Sequence, residues 1–166
     1  MTAPFYEAVL AGDRAAAESA LGTRLPAAWP PVSERRSRRW LGMLREDPER
    51  GPWLARAIVE PGRGEMIGHI GFHDRPGAPD LDGIAPGGVE IGYSVFEPFR
   101  GRGYAKEAAG ALMGWAHDRH GITRFVASVS PENAPSLAVI AALGFERVGE
   151  HLDVEDGLEH VFVRRI

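Results

Sequence analysis

Nine consecutive residues, Glu97-Pro98-Phe99-Arg100-Gly101-Arg102-Gly103-Tyr104-Ala105, have the make-up of an anion cradle. Glycines let backbone N–H groups turn toward a ligand without a side chain in the way, and a helix start adds partial positive charge. A glycine-rich link from a strand into a helix therefore suits a phosphate or pyrophosphate. The segment has neither the Gly-Lys-Ser/Thr of a P-loop nor the glycine spacing of a dinucleotide fingerprint, which argues against ATP and NAD. A tight turn needing two glycines accounts equally well for the loop taken alone. A second segment, Ser130-Pro131-Glu132-Asn133-Ala134-Pro135-Ser136, leads through residues 137–143 to Gly144-Phe145. Here Asn133 is placed to cap a helix, with Pro135 in its first turn and Gly144 as its stop.

Periodicity shows which elements must position these segments. Val89, Ile91, Tyr93 and Val95 alternate with Glu90, Gly92 and Ser94, a period-two strand feeding the glycine loop. Beyond the loop, Ala105, Ala108, Leu112 and Ala116 share one helical face. Residues 123–129 predict a strand, 134–143 a short helix, 145–152 a strand, and 158–163 a last strand across the Asp156-Gly157 turn. Upstream, residues 53–59 and 65–73 predict a hairpin around Pro61-Gly62-Arg63-Gly64, and the breaker-rich stretch 74–88 predicts a surface loop. The first fifty residues predict helix and loop: two helical turns or one bent helix over 8–21, then a helix over 36–44 capped by Ser33 and ended near Pro48. Hairpin, strand, helix, strand, helix, strand, strand predicts a mixed α/β fold with helices on the faces of its sheet.

At 166 residues, 44% hydrophobic and 25% charged, the chain fits one ordinary domain with a real core rather than a disordered or fibrous class. A net charge of -4 argues against nucleic-acid or anionic-membrane binding as the main task. With no cysteine, disulfides, thiolate zinc sites, iron–sulfur clusters and acyl-cysteine chemistry are excluded. No targeting or membrane-spanning pattern stands out, so a soluble cytoplasmic protein is expected.

In this order the segments resemble the GNAT superfamily of acyl-CoA-dependent N-acetyltransferases, nearest to the branch that includes the ribosomal-protein N-terminal acetyltransferases RimJ and RimL. The likeness runs over residues 53–166 and rests on Glu90-Ile91-Gly92-Tyr93, the Arg-x-x-Gly-x-Ala helix start, the Asn-x-x-Ser helix and the Gly-Phe strand. It implies a mostly antiparallel central sheet with a splayed parallel strand pair, residues 1–50 forming an acceptor-side helical region and 53–166 the sheet and coenzyme-A core of a single domain. By resemblance the backbone of Arg100, Gly101, Arg102, Gly103, Tyr104 and Ala105 holds the pyrophosphate of acetyl-CoA. The main chain near Val95 pairs with the pantetheine arm and offers an N–H to the acetyl oxygen, and Asn133 bonds the same arm. The activity implied is acetyl transfer from acetyl-CoA to a primary amine, a small molecule or a protein N-terminus, by direct attack in a ternary complex. Alternatives are another acyl donor, an oxygen acceptor, or a catalytically silent CoA-binding module; a homodimer is also compatible.

An amine attacks only when neutral, so a base must remove an ammonium proton. Glu90 is the first candidate, with burial expected to raise its pKa; a solvated or ion-paired carboxylate is the plain alternative. Many family members carry, four residues before the Gly-Phe pair (Gly144-Phe145 here), a tyrosine that reprotonates the departing thiolate. That place is Ile140 here, and Ser136 resembles the serine that some RimL-like members use instead. His69 and His73 sit four apart on a predicted strand, without the helical arc of a zinc motif, and no metal is expected. His117 and His120 lie near a helix C-terminus, where positive charge is favourable. Trp29, Trp40 and Trp53 predict either a pocket wall or packing. Asp74, Asp80, Asp82, Asp153, Glu155 and Asp156 predict either an acidic acceptor wall or ordinary exposed turns.

Overall fold

A computed structural model of the protein describes residues 1–28, 30–60, 62–153 and 157–166. Its regular elements are α1 (Ala3–Leu10), α2 (Arg14–Leu21), α3 (Glu34–Glu46), β1 (Arg56–Glu60), β2 (Glu65–Phe72), β3 (Val89–Val95), α4 (Tyr104–His120), β4 (Arg124–Val129), α5 (Ala134–Ala142), β5 (Glu146–Asp153) and β6 (Gly157–Arg165), in that order. The strands form a six-stranded, mostly antiparallel sheet in the order β1-β2-β3-β4-β6-β5, with β3 and β4 as its parallel pair. The chain packs as two compact units, residues 1–71 with 93–100 and residues 72–92 with 101–166.

In the first unit the chain between α1 and α2 turns at Gly12, whose φ of 74° is open to glycine and costly for other residues. Two separate helices result rather than one bent one. The Asp13 side chain accepts from the Ala16 N–H at 3.0 Å and caps α2, and Ser33 caps α3 as its position predicts. Helices α1 and α2 have eight residues each, too short to persist alone. They are held by burying Phe5, Tyr6, Val9 and Ala17 with Leu41, Leu44, Leu54 and Met66. The predicted strand over 53–59 begins later, at Arg56. The N–H groups of Trp53 and Leu54 both reach the Arg50 carbonyl, at 2.9 and 3.1 Å, so a turn occupies that stretch. Gly68 and Gly71 of β2 lie hard against backbone: a Cβ on Gly68 would strike the Ser94 carbonyl oxygen, and one on Gly71 would come within 2.7 Å of Ala55.

In the second unit β4 pairs antiparallel with β6 from Arg124↔Arg165 to Val129↔His160, and β6 pairs on its other side with β5. Strand β5 is exposed along almost its whole length. Helix α4 buries Ala109, Leu112, Met113 and Ala116, and His117 Nδ1 lies 3.1 Å from the Ile122 carbonyl just past its C-terminus. The stretch 74–88 is more than a surface loop. It contains the 3-10 turn Pro79–Leu81, and Leu81 and Ala85 are buried with Val126, Val161 and Val163. Glycine and proline signalled its irregular backbone, and two apolar side chains in it still found the sheet.

Candidate functional site

The glycine loop follows from its local sequence. Phe99, at the end of the 3-10 turn Glu97–Phe99, is buried. Gly101 and Gly103 take φ values of 74° and 84°, in the left-handed region, so the backbone itself requires glycine at both places. Helices α2, α3 and α5 begin on Asp13, Ser33 and Asn133, whose side chains accept a first-turn N–H. Helix α4 begins on Gly103, which has no side chain to do so. Its start therefore presents the positive end of the helix dipole with no side-chain cap from its N-cap residue. Arg100 Nε donates to the Val95 carbonyl at 2.9 Å and ties the loop back to the strand it leaves.

Along β3 the backbone groups alternate in direction. The Glu90 carbonyl accepts from the His73 N–H, and the Phe96 N–H donates to Ile67, both on the β2 side. By that alternation the amides of Ile91, Tyr93 and Val95 point to the opposite edge of β3. Among the described residues, the parallel pairing of β3 with β4 covers Val89↔Phe125 and Glu90↔Val126, although each strand continues for several residues.

Glu90 sits in a built polar cluster. Its side chain is 13% exposed, His73 Nδ1 lies 3.2 Å from Oε2, and Ser128 Oγ donates to Oε1 at 2.6 Å. Burial pushes the Glu90 pKa up, but the hydrogen bond and charge of His73, the Ser128 hydroxyl and the charge of His151 together carry it below the ordinary carboxylate value. The expected rise is therefore corrected to a fall: the carboxylate is buried, but both its oxygens are engaged by donors that favour its charged form. The reading of the sequence did not connect His73, Ser128 or His151 with Glu90, because they come from the residue after β2, from β4 and from β5. One signal was there. Gly92 interrupts an otherwise substantial strand, as glycine does where something approaches closely, and a Cβ on it would come 2.7 Å from His73 Nε2. His151 in turn lies 3.5 Å from Glu159 Oε2.

Asn133 caps α5 through Oδ1, which accepts from the Ser136 N–H at 3.2 Å, and Ser136 is half-buried in the first turn. Ile140 is 1% exposed, so the helix places an apolar core side chain where the resemblance puts a tyrosine. His69 is buried, with the Trp40 ring edge-on at 5.7 Å, and burial followed by the charge of Arg36 holds its pKa down at about 4. Trp53 is buried and Trp40 packs against the first unit's core, which gives both a packing role. Trp29, Glu155 and Asp156, like the turn residue Pro61, lie outside the described residues. Asp80 and Asp82 are exposed, and Asp74 accepts its neighbour's N–H, Arg75, at 2.7 Å, the behaviour of an ordinary turn. Among the described residues no cluster of three or more His, Asp or Glu side chains is arranged to hold a metal, and no helix is long and apolar enough to cross a membrane.

The chain is similar in sequence and fold to known proteins. The family described as "Acetyltransferase (GNAT) domain" matches residues 3–146, so the first fifty residues share the likeness seen in the rest. An uncharacterised N-acetyltransferase of Bacillus subtilis, YjdG, is 34% identical over 88 residues, 53% of this chain and 48% of its own. The [Ribosomal protein uS5]-alanine N-acetyltransferase of Escherichia coli is 28% identical over 112 residues, 66% of this chain and 53% of its own. The chain thus spans about half the length of the curated relatives it matches. Among solved structures, the ribosomal-protein-S5-alanine acetyltransferase of Vibrio fischeri superposes with a TM-score of 0.67 at 16% identity, covering 99% of this chain and 90% of its own. The microcin C7 self-immunity acetyltransferase MccE, solved with acetyl-CoA and AMP, gives 0.63 at 19% identity over 98% and 86%. Sequence match and fold agree, and on the family match over most of its length the chain belongs to the GNAT acetyltransferases.

Proposed function

We propose that the protein is an acetyl-CoA-dependent N-acetyltransferase of the cytoplasm that transfers acetyl to a primary amine by direct attack in a ternary complex. The observation that carries this reading is the glycine start of α4, which has no side-chain cap, on a loop pinned to β3 through Arg100 and Val95. Amides of residues 101–105 suit the pyrophosphate, and the edge of β3 at Tyr93 and Val95 suits the amide groups of the pantetheine arm. When bound, acetyl-CoA supplies a thioester carbonyl open to a nucleophile. The Val95 N–H would be the donor to that carbonyl's oxygen as charge develops. The Glu90 cluster serves the acceptor's proton, and the Ser136 hydroxyl is the candidate donor to the leaving sulfur.

Two measurements test the proposal. Acetyl-CoA binding is followed by calorimetry in the wild type and in Gly103→Trp, with circular dichroism as the check of folding. Release of free CoA thiol is then followed over a panel of alkylamines, aminoglycosides, polyamines and N-terminal peptides. Tight binding by the wild type that is lost in the variant supports the loop, and amine-dependent thiol release supports the activity. The buried Ile140 favours a second reading, a silent CoA-binding module. Binding without thiol release from any amine would favour that reading over catalysis.

A further inference from the structure

We infer that His69 and Arg36, beside Trp40 in the first unit, hold a carboxylate, so that the acceptor is a primary amine that also carries an acidic group. This rests on the acetyltransferase reading above and deepens it by naming the acceptor's second functional group.

The first unit buries polar side chains that have no partner. The Tyr6 hydroxyl on α1 and the Ser37 hydroxyl on α3 are fully buried, and among the described residues neither is hydrogen-bonded. His69 on β2 is 7% exposed. Among the described residues its ring meets Trp40 and the charge of Arg36 but no hydrogen-bond partner. Trp40 joins the three: its ring lies 5.7 Å from that of Tyr6 and 5.7 Å from that of His69, and Ser37 precedes it by three residues on one face of α3. Buried polar groups are as a rule paired, so three orphans about one tryptophan mark a place that a ligand group fills.

The chemistry of the set is one-sided. A phenol, a hydroxyl, a neutral imidazole and a guanidinium can all donate, and each donor needs an acceptor. Burial and then the charge of Arg36 keep His69 neutral at pH 7, so it offers an N–H while the exposed Arg36 supplies the positive charge. The carboxylates of α1 and α3 are committed elsewhere: Glu7 to Arg45, Glu34 to Arg38 and Glu46 to Arg50. An ammonium here would be repelled by Arg36, whereas a carboxylate would gain a charge-assisted hydrogen bond.

The register of β2 on β3 brings this place near the reaction. The Phe96 N–H donates to the Ile67 carbonyl, and the His73 N–H to the Glu90 carbonyl. A Cβ on Gly68 would meet Val95 Cα at 3.0 Å. His69 therefore stands opposite Ser94, one residue before the Val95 amide assigned above to the thioester oxygen. Side chains opposed in this way are about 5 Å apart at Cβ, so a short amino acid can reach from one group to the other.

Two readouts test the pocket. Without turnover, nitrogen NMR follows the His69 imidazole while butyrate or butylamine is added. Butyrate is expected to shift the signal saturably and butylamine is not; no saturable shift with butyrate overturns the inference. With turnover, thiol release compares β-alanine with propylamine, γ-aminobutyrate with butylamine, and the peptide amide Ala-Glu with Ala-Gln. A higher kcat/KM for the acid in the free or the peptide pairs supports the pocket and tells which kind of molecule brings the carboxylate; no preference in either overturns it. In Arg36→Gln that preference is expected to fall about 10-fold or more, through KM rather than kcat. Arg39→Gln, which removes an equal charge from the same exposed helix, is expected to keep it. Equal falls in the two variants would mean a diffuse positive field and overturn the pocket. His69→Gln, checked for folding by circular dichroism, is expected to behave as Arg36→Gln does, and a folded variant that keeps the preference overturns the role of His69. Where the wild type acetylates no amine, the butyrate titration decides. A wild type that binds no acetyl-CoA overturns the acetyltransferase reading itself, whereas thiol release without preference for acids overturns this inference alone.

Discussion

Glu90 shows how a residue's type and its behaviour can diverge. The sequence marks it as a carboxylate on the strand leading to the loop, and the structure keeps it there, largely buried and doubly hydrogen-bonded. Because its pKa falls on folding, it adds stability that is full above the ordinary carboxylate value and is lost as pH drops through the folded value. Hydrogen bonds to a charged group are worth about 1.5–3 kcal/mol, so Glu90→Gln is expected to lower Tm by several degrees at pH 7. The gap to the wild type is expected to close below pH 4.5, the ordinary value, which a melting series across pH checks. His69 works in the acid direction too, for a different reason. Its folded pKa of about 4 lies below the ordinary 6.5, so in between the unfolded chain binds a proton that the folded chain refuses. Stability is whole above 6.5 and declines as pH falls toward 4, by at most about 1.4 kcal/mol per pH unit. A His69→Gln variant is expected to show a flatter decline in denaturant titrations over that window. Candidate residues were legible one at a time, as with Glu90, Gly103 and Asn133. The environment of Glu90 was not, because His73, just past β2, Ser128 on β4 and His151 on β5 enter from separate parts of the chain and no local pattern joins them.

At the scale of elements, a glycine's meaning depends on what surrounds it. Gly42 lies inside α3 with nothing within 4 Å of a built Cβ, so Gly42→Ala is expected to stabilise by about 0.5–1 kcal/mol. Gly68 lies in β2 against the Ser94 carbonyl, so Gly68→Ala is expected to destabilise by about 1–3 kcal/mol. Chemical denaturation of the two variants side by side reads both signs. Elements with a clear period were legible: β3 by its alternation, α4 by its apolar face, α5 by its cap and stop. The late start of β1 was not, since Trp53-Leu54-Ala55 has strand-like side chains while its N–H groups are already committed to Arg50. The packing of Leu81 and Ala85 was equally hidden, because a breaker-rich composition describes the backbone and says nothing of where two apolar side chains will find room.

For the whole molecule, acetyl-CoA binding is linked to folding. At a ligand concentration near one hundred times Kd, binding adds about 2.7 kcal/mol, a Tm rise of roughly 5–11 °C for a chain of this length; a thermal melt with and without acetyl-CoA measures it, and Gly103→Trp is expected to remove it. The sheet's order carries a different kind of consequence. Strand β6 lies between β4 and β5, so β4, complete at Val129, takes its antiparallel partner from a segment that ends at Arg165. On a ribosome adding about 5–20 residues per second, β4 emerges some seconds before the strand that covers its edge. Through that interval its row of N–H and C=O groups is a template open to any other strand. Strand β5, made before β6, has no register until β6 has threaded in between. The nascent second unit is thus expected to be sticky until its final hairpin closes. Chains released early, within β5 or β6, are the ones expected to aggregate or to be held by chaperones, whatever the state of the site that Glu90 and His73 share.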